Sequence, residues 1–214
     1  MPLVFESSFD NDSSILGIWK IDERKEELLE QLMMKPIELQ MLNSFQNDTR
    51  KIQWLSVRTL IRALLQNPTI PLEIKYDENT KPSLVKSNYH VSISHSKDKA
   101  AVLLSKSKLI GIDIEFINPK IEKVIHKFLS LDEINSASEN NNILYYHICW
   151  CAKEALYKLN GRKGINFIDD IKIKPFICQH SGEFQASIRF DEKIHDFTMN
   201  YLKINDYMLV YVIG

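Results

Sequence analysis

An internal repeat constrains the fold of this chain more than any other feature of its sequence. The segment SILGIWKI at 14–21 aligns with KLIGIDIE at 108–115, and QWLSVRTLIRALL at 53–65 aligns with CWCAKEALYKLNG at 149–161, at offsets of 94 and 96 residues. Such a repeat predicts a duplicated unit whose halves pack about a pseudo-twofold axis, with a cleft between them as a natural ligand site. We therefore expect an α+β fold of two similar halves, each a small, mostly antiparallel sheet with packed helices.

The expected boundary between the halves lies near Ser105–Leu109, which gives an N-terminal half at 1–105 and a C-terminal half at 106–214. With 214 residues, of which 44% are hydrophobic, the chain is long enough to form two small cores. Apolar periodicity predicts strands at 14–21, 72–76, 90–94, 99–105, 109–115, 167–173, 183–190, 195–202 and 208–213, and helices at 23–34, 37–45, 49–66, 121–130, 131–137 and 143–159.

Charge and composition narrow the classes of function. The net charge of -1 and the pI of about 6.6 give no overall basic field, so nucleic acid is not an expected partner. The N-terminus lacks a basic region followed by an apolar run, and no window reaches the roughly 18 uncharged apolar residues of a membrane span. We expect a cytoplasmic protein without membrane contact, whose Cys149, Cys151 and Cys178 are thiols without a disulfide framework.

Two carboxylates stand out in the second copy of the repeat. The two-residue period of a strand places Gly111, Asp113 and Glu115 on one face and three isoleucines on the other. Side chains two apart on a strand lie roughly 6–7 Å from each other, and two such anions repel by about 2–3 kcal/mol at an effective dielectric of about 20. A divalent cation such as Mg2+ would turn this repulsion into binding energy. The alternative is a polar outer face on a half-buried strand.

A second motif follows on a predicted helix. Trp150, Glu154 and Lys158 are spaced i, i+4 and i+8, so they lie along one stripe. One interpretation is that this stripe is part of a functional site. The alternative is a surface ion pair between Glu154 and Lys158, worth about 0.3–0.5 kcal/mol. Geometry alone leaves both interpretations open.

The two halves also differ in charge where the repeat aligns them. The positions of Asp113 and Glu115 in the second half are Trp19 and Ile21 in the first, and the position of Glu154 is Arg58. The helix that carries Arg58 also carries the basic residues Arg50, Lys51 and Arg62. A basic half opposite an acidic, metal-holding half would suit a Mg2+-polyphosphate ligand.

Three motifs in order resemble those of a known enzyme family. VSISHS at 91–96, GIDIE at 111–115 and WCAKEALYK at 150–158 are similar, in order and spacing, to the motifs of the 4′-phosphopantetheinyl transferase superfamily, in its surfactin-synthetase-activating form. The resemblance covers about Thr80 to Ile165. It implies a monomeric, Mg2+-dependent enzyme that transfers 4′-phosphopantetheine from coenzyme A to a serine of an acyl or peptidyl carrier protein and releases 3′,5′-ADP. Holo carriers of this kind serve fatty acid, polyketide or nonribosomal peptide biosynthesis.

The resemblance implies roles for residues of the second half. Asp113, Glu115 and Glu154 would be the Mg2+ ligands, and Lys158 would face the phosphates of coenzyme A. Asp113, Glu154 and Lys158 would form the catalytic set, with Glu154 as the base that accepts the serine proton, directly or through water. Glu133 matches a further acidic position of the family without an assigned role.

The resemblance also implies coenzyme A contacts in the first half. Ser94 and His95 would meet the 3′-phosphate, and Lys81 matches the lysine of a Gly-Lys-Pro turn in the family. This chain has Thr80 in place of that glycine. Arg50 is a further expected phosphate contact in the basic half.

Two other classes of function are compatible with the same residues. One is a different Mg2+-dependent phosphoesterase or nucleotidyl enzyme, since paired carboxylates would serve it equally well. The sequence has no Walker-type or dinucleotide-binding glycine loop, which excludes the common nucleotide folds. The other is a non-catalytic module whose acidic face binds a carrier or another basic partner.

Overall fold

The structure is a computed structural model that describes residues 2–9, 11, 13–66, 72–137 and 142–214. It contains two compact units, Met1–Lys108 and Leu109–Gly214, called the N-terminal and C-terminal units below. No helix within the described ranges is long and apolar enough to cross a membrane.

The N-terminal unit is a six-stranded antiparallel sheet with three helices. Its strand order is β1-β2-β6-β5-β4-β3, and its long helix packs against β2, the strand of the repeat, and against the neighbouring strand β6. The elements are β1 Leu3–Phe9, β2 Ser14–Lys20, α1 Lys25–Gln31, α2 Pro36–Ser44, α3 Asp48–Leu65, β3 Ile74–Tyr76, β4 Pro82–Leu84, β5 His90–Ser96 and β6 Lys99–Ser105.

The C-terminal unit is a five-stranded antiparallel sheet with a short helix and a long one. Its strand order is β7-β11-β10-β9-β8, and the long helix packs against β7 and β11. The elements are β7 Ile110–Phe116, 3-10 turns at Pro119–Lys123 and Ile125–Lys127, α4 Leu131–Asn135, α5 Asn142–Asn160, β8 Ile171–Ile173, β9 Ser181–Phe190, β10 Lys193–Ile204 and β11 Tyr207–Ile213.

The predicted α+β class with two similar halves is confirmed, and the glycines of the repeat show the likeness most directly. A Cβ built on Gly17 in β2 would lie 2.7 Å from Leu64 on α3, and one built on Gly111 in β7 would lie 1.9 Å from the carbonyl oxygen of Ala155 on α5. In each unit the repeated strand carries its glycine where the long helix lies directly on it, against leucine side-chain methyl groups at Gly17 and against helix backbone at Gly111. The two tryptophans aligned by the repeat, Trp54 and Trp150, lie on these equivalent helices.

Local structure differs from expectation at several points. The apolar pattern at 121–130 does not form a helix but two 3-10 turns, the first begun by Pro119 and capped by Asn118. Strands β1 and β4 were not predicted; β1 is an edge strand whose residues alternate between half-buried and exposed. The strand predicted at 167–173 forms only at Ile171–Ile173, because turn structure precedes it. The side chain of Asn47 caps α3 by accepting the backbone N–H groups of Thr49 and Arg50, so the helix begins at Asp48, one residue before the expected start at 49.

Candidate functional site

The two acidic motifs of the C-terminal unit lie against each other because α5 packs across β7. The close approach at Gly111 brings the helix backbone onto the strand face that also carries Asp113 and Glu115. Asp113 is only 3% exposed, so this face of β7 is shielded from solvent there. The alternative of a polar outer strand face is therefore wrong.

The effect of Gly111 can be tested by adding a single methyl group. Gly111→Ala should lower the free energy of unfolding by at least about 2 kcal/mol, because the new Cβ meets backbone rather than a movable side chain. Gly182→Ala is the matched control, since its Cβ would lie 3.1 Å from the hydroxyl of Tyr201, the far end of a side chain. Urea unfolding of both variants measures the difference, and equal midpoints would contradict the close packing of α5 on β7.

Lys158 connects the helix motif to the strand motif. Its ammonium donates to Oδ1 of Asp113 at 2.7 Å and to the carbonyl oxygen of Ile112 at 3.1 Å. The lysine thus pairs across the two motifs, and the proposed surface ion pair with Glu154 is not the contact that the structure shows. A cation held this way partly neutralises a buried carboxylate.

Glu154 lies half-buried beside the same group of charges. Its pKa is raised to about 7, first by burial and then by the negative charge of Asp113, with a smaller contribution of the same sign from Glu115. The ammonium of Lys158 acts in the opposite direction. Three carboxylates and one lysine therefore form an electrostatically coupled set on α5 and β7, which we call the α5–β7 carboxylate set: Asp113, Glu115, Glu154 and Lys158.

A metal ion fits this set by donor chemistry. Among the residues that the structure describes, no three His, Cys, Asp or Glu side chains are grouped as a ready-made metal site. The donors are nevertheless the hard oxygens that Mg2+ prefers. The charges of Asp113 and Glu115 add to burial in raising the pKa of Glu154, and a cation among the three carboxylates would offset that repulsion.

Glu133 lies outside the α5–β7 carboxylate set and instead makes buried contacts that hold the fold together. Its carboxylate accepts from Lys153 Nζ at 2.8 Å, from the backbone N–H of Ile173 at 2.9 Å and from the backbone N–H of Ser130 at 2.8 Å. Lys153 is fully buried and also donates to the carbonyl oxygens of Phe167 and Ile171. The pair joins α4, α5 and both ends of β8, and sequence reasoning missed it because both residues fall in patterns typical of exposed charge.

His147 is another residue that the sequence did not single out. Its Nδ1 donates to the carbonyl oxygen of Ile143 at 2.8 Å, while Nε2 accepts the backbone N–H of Asn118 at 3.1 Å. Burial lowers its pKa, which favours this neutral form. His147 thereby ties the segment after β7 to α5, beside a cavity of about 210 Å³ that Glu115 and Trp150 also line.

In the N-terminal unit the structure brings two of the expected phosphate contacts together. Arg50, in the first turn of α3, hydrogen-bonds through its guanidinium to Nε2 of His95 on β5. The guanidinium can only donate, so Nε2 of His95 is the acceptor in this contact. Ser94, the neighbour of His95, is buried in the same strand. An exposed cation next to an imidazole is a suitable arrangement for binding a phosphate.

Lys81 lies in a tight turn ordered by Asp77. The carboxylate of Asp77 accepts the backbone N–H groups of Asn79 at 2.9 Å and Lys81 at 2.8 Å. Burial lowers the pKa of Lys81, and the charge of Asp77 opposes that shift. Thr80 has φ +67°, in the left-handed region that favours glycine, so the backbone keeps the turn geometry although the residue is not Gly.

The basic helix α3 does not present all its cations to solvent. Arg58 is 2% exposed, donates to Glu38 at 3.1 Å and lies over the ring of Trp54 at 3.1 Å from its centroid. Arg62 donates to the carbonyl oxygen of Gln31 at 2.7 Å. The repeat aligns Arg58 with Glu154, but the two side chains have different environments. Arg58 forms an ion pair in the core, whereas Glu154 is a half-buried carboxylate.

Comparison with known proteins gives a family match and several relatives. Residues 109–212 match the family described as the 4′-phosphopantetheinyl transferase superfamily. The chain is 30% identical over 119 residues to 4′-phosphopantetheinyl transferase AcpT of Escherichia coli O157:H7 and of Escherichia coli strain K12, covering 52% of this chain and 59% of each relative. The same protein of Salmonella typhi is 29% identical, with 52% and 60% covered. The chain thus spans about three fifths of these curated relatives.

Proposed function

We propose that this chain, whose residues 109–212 belong to the 4′-phosphopantetheinyl transferase superfamily, transfers 4′-phosphopantetheine from coenzyme A to a serine of an acyl or peptidyl carrier protein. The α5–β7 carboxylate set carries the proposal. It brings together carboxylate oxygens, a glutamate whose pKa is raised and an ammonium, and such groups are suited to the positioning and charge stabilisation on which phosphoryl transfer depends. The internal repeat supports the surfactin-synthetase-activating, two-half type.

The bond changes are those of a displacement at phosphorus. The serine oxygen forms a bond to the phosphorus that carries pantetheine, and the bond from that phosphorus to the bridging oxygen breaks. The oxygen leaves with 3′,5′-ADP, and the serine proton passes to Glu154, directly or through water. In the metal-free protein, burial and the charge of Asp113 raise the pKa of Glu154 to about 7, so its carboxylate is a stronger base than an ordinary one.

Asp113, Glu115 and Glu154 would hold Mg2+, which when bound neutralises charge on the phosphoryl oxygens. Lys158 contributes a second positive charge from within the protein, and its contact with Asp113 orients that carboxylate. The lysine would also contact the coenzyme A phosphates. In these roles the residues position the substrate and stabilise charge in the transition state. Phosphoryl transfer is catalysed mainly in this way, because the protein takes little part in the covalent changes.

Coenzyme A would be recognised in the N-terminal unit by its phosphates. The proposed contacts are Arg50 and His95, which already hydrogen-bond to each other, the adjacent Ser94 and the turn lysine Lys81. The assignment of a basic, coenzyme A-binding half at 1–105 and a metal-binding half at 106–214 stays a prediction. A cytoplasmic location and a monomeric state are also predictions, the second open to size-exclusion chromatography.

Incubation with coenzyme A, Mg2+ and a panel of apo carrier proteins tests the function directly. A mass gain on a carrier equal to the phosphopantetheine arm is the expected result. Phosphate release without carrier modification would favour the Mg2+-dependent phosphoesterase alternative. Carrier binding without any metal-dependent product would favour the non-catalytic module.

The nucleotide contacts predict a preference for the 3′-phosphate. Dephospho-coenzyme A should react with a kcat/KM at least about 10-fold lower than coenzyme A, because charge-assisted hydrogen bonds contribute about 1.5–3 kcal/mol each. His95→Ala should lose most of that preference, because the substitution should lower kcat/KM for coenzyme A and leave kcat/KM for dephospho-coenzyme A unchanged. Equal use of both substrates by the unmodified protein would remove His95 and Arg50 from the phosphate site.

A further inference from the structure

His147 joins the chain just after Glu115 to helix α5. Its Nε2 accepts the backbone N–H of Asn118 at 3.1 Å, three residues beyond Glu115. The backbone carbonyl of Phe116, the residue that follows Glu115, also interacts with the imidazole and raises its pKa against the effect of burial. The second ring nitrogen, Nδ1, donates to the carbonyl oxygen of Ile143 at 2.8 Å, which fixes the ring on its own helix. A side chain that is only 4% exposed therefore connects the end of β7 to α5.

The end of β7 is a place where such a contact matters. In the strand order of the described residues, β7 is the outermost strand of its sheet and pairs with β11. Phe116 is the last residue of β7, and the chain turns at Asn118 into the first 3-10 turn. The end of an element opens more readily than the middle of a sheet. A hydrogen bond from α5 therefore restricts where the backbone next to Glu115 lies relative to the helix.

Two contacts between β7 and α5 bracket the α5–β7 carboxylate set. At one end, the main chain of α5 at Ala155 lies directly on Gly111. At the other end, His147 holds the chain at Asn118. All three carboxylates lie between these contacts in the sequence, two on the strand segment and one on the helix segment. The separation between the strand carboxylates and Glu154 is therefore set from both ends.

The imidazole also forms part of the wall beside Glu115. Glu115, His147 and Trp150 line the same cavity of about 210 Å³. A smaller side chain in place of the imidazole would enlarge this cavity and give the half-buried carboxylate of Glu115 more room to move. Both ring nitrogens are engaged by backbone groups, so the imidazole has no lone pair to offer a metal ion.

We propose that His147 is a positioning residue of the proposed metal site, which holds Glu115 at the separation from Glu154 at which one divalent cation binds both carboxylates. This inference rests on the proposed function for the identity of the metal ligands. His147 acts through the backbone at 116–118 and not by binding the ion. Contacts that orient metal ligands without touching the metal change metal affinity or activity by about 10–100-fold.

The two ring nitrogens of His147 can be imitated one at a time. A glutamine side chain reaches the position of Nε2 with an amide that can accept the N–H of Asn118, so His147→Gln keeps the contact with the strand end. An asparagine side chain reaches only the position of Nδ1, so His147→Asn keeps a donor for the carbonyl oxygen of Ile143 and loses the contact with Asn118. His147→Leu, which also lacks an acceptor, takes the place of His147→Asn if that variant does not fold.

Cys149→Ala is the control for lost packing on the same helix. Cys149 is fully buried and interacts with Tyr145 and Cys178, so its removal lowers stability without touching the segment at 116–118. The first measurement is the Kd of Mn2+, which suits the same oxygen ligands as Mg2+, by electron paramagnetic resonance with coenzyme A present and no carrier. Glu154→Gln identifies the Mn2+ signal that belongs to the site. The second is the Mg2+ concentration for half-maximal carrier modification, and urea unfolding in EDTA gives the stability of each variant.

His147→Asn should weaken Mn2+ binding at least about 10-fold and raise the half-maximal Mg2+ concentration by a similar factor. His147→Gln should stay within about threefold of the unmodified protein and Cys149→Ala within about twofold, whatever their stabilities. Equal Mn2+ affinity of His147→Asn and the unmodified protein would overturn the positioning role and leave the proposed function intact. Absence of Mn2+ binding by the unmodified protein would also overturn it. If the unmodified protein binds Mn2+ but modifies no carrier, the proposed function fails, and unequal Mn2+ affinities of the two histidine variants would still support the positioning role.

Discussion

Glu154→Gln should reduce carrier modification at least about 100-fold at saturating Mg2+, which corresponds to about 2.7 kcal/mol or more of transition-state stabilisation. The amide keeps the size and the half-buried position of the side chain. It removes the negative charge proposed to hold the metal and the basic site proposed to accept the serine proton. Turnover in a discontinuous mass assay measures the effect. Near-normal turnover would leave Asp113 and Glu115 alone as the metal pair.

The same substitution has an opposite effect on stability without metal. The pKa of Glu154 is about 7 in the folded state, above the ordinary value of 4.5 for a glutamate side chain. A raised folded pKa stabilises the fold fully below about pH 4.5, and that stabilisation is lost as pH rises through about 7. The free energy of unfolding of the metal-free protein should therefore fall by on the order of 1–3 kcal/mol as the pH rises through this range. The corresponding fall for Glu154→Gln should be smaller. Urea unfolding in EDTA at pH 5 and pH 8 measures both proteins, and identical pH dependence would contradict the coupled charges.

Lys153→Met should cost about 3–5 kcal/mol of folding free energy, because it leaves the carboxylate of Glu133 buried without its counter-ion. Lys153 is fully buried, and its ammonium makes three hydrogen bonds, one to Glu133 and two to backbone carbonyl oxygens. Methionine fills similar volume, so the loss would reflect charge and hydrogen bonding rather than a cavity. Denaturant unfolding at pH 7 is the measurement.

Two further variants separate this interpretation from a general loss of lysine. Lys172→Met removes an exposed lysine on β8 that donates to the carbonyl oxygen of Ile168, and it should cost less than about 1 kcal/mol. Glu133→Leu combined with Lys153→Met should recover part of the stability, because neither buried charge then remains. A double variant less stable than the Lys153→Met single variant would show that Glu133 stabilises the fold through its backbone contacts at Ile173 and Ser130.

The repeat and the two-residue period predicted the strand and helix that carry the carboxylates, because both signals are local. They could not predict that Asp113 would be covered, since alternation identifies a face but not the element that packs on it. The rotation of α2 is a similar case. Glu38 points inward only because Arg58, 20 residues later, is buried beside it, and no local pattern contains that pairing. The apolar pattern at 121–130 failed for a local reason, because Pro119 and the Asn118 cap favour tight turns there.

The contacts in the N-terminal unit illustrate a different limit. Ser94 and His95 could be selected because their motif resembles that of a family, and Arg50 because its helix is basic. Their meeting depends on how α3 crosses the sheet, which places residues 45 positions apart in hydrogen-bonding contact. The sequence identified the chemical groups, and long-range packing determined which of them are neighbours.

The contact at Gly111 makes the spacing of the carboxylates a property of the main chain. Strand and helix touch backbone to backbone there, so the offset between Asp113 and Glu154 does not depend on which apolar side chains fill the rest of the interface. A library in which the surrounding core is randomised among hydrophobic residues should therefore yield many active sequences if Gly111 is fixed. The same library with alanine at that one position should yield few, even among members that fold.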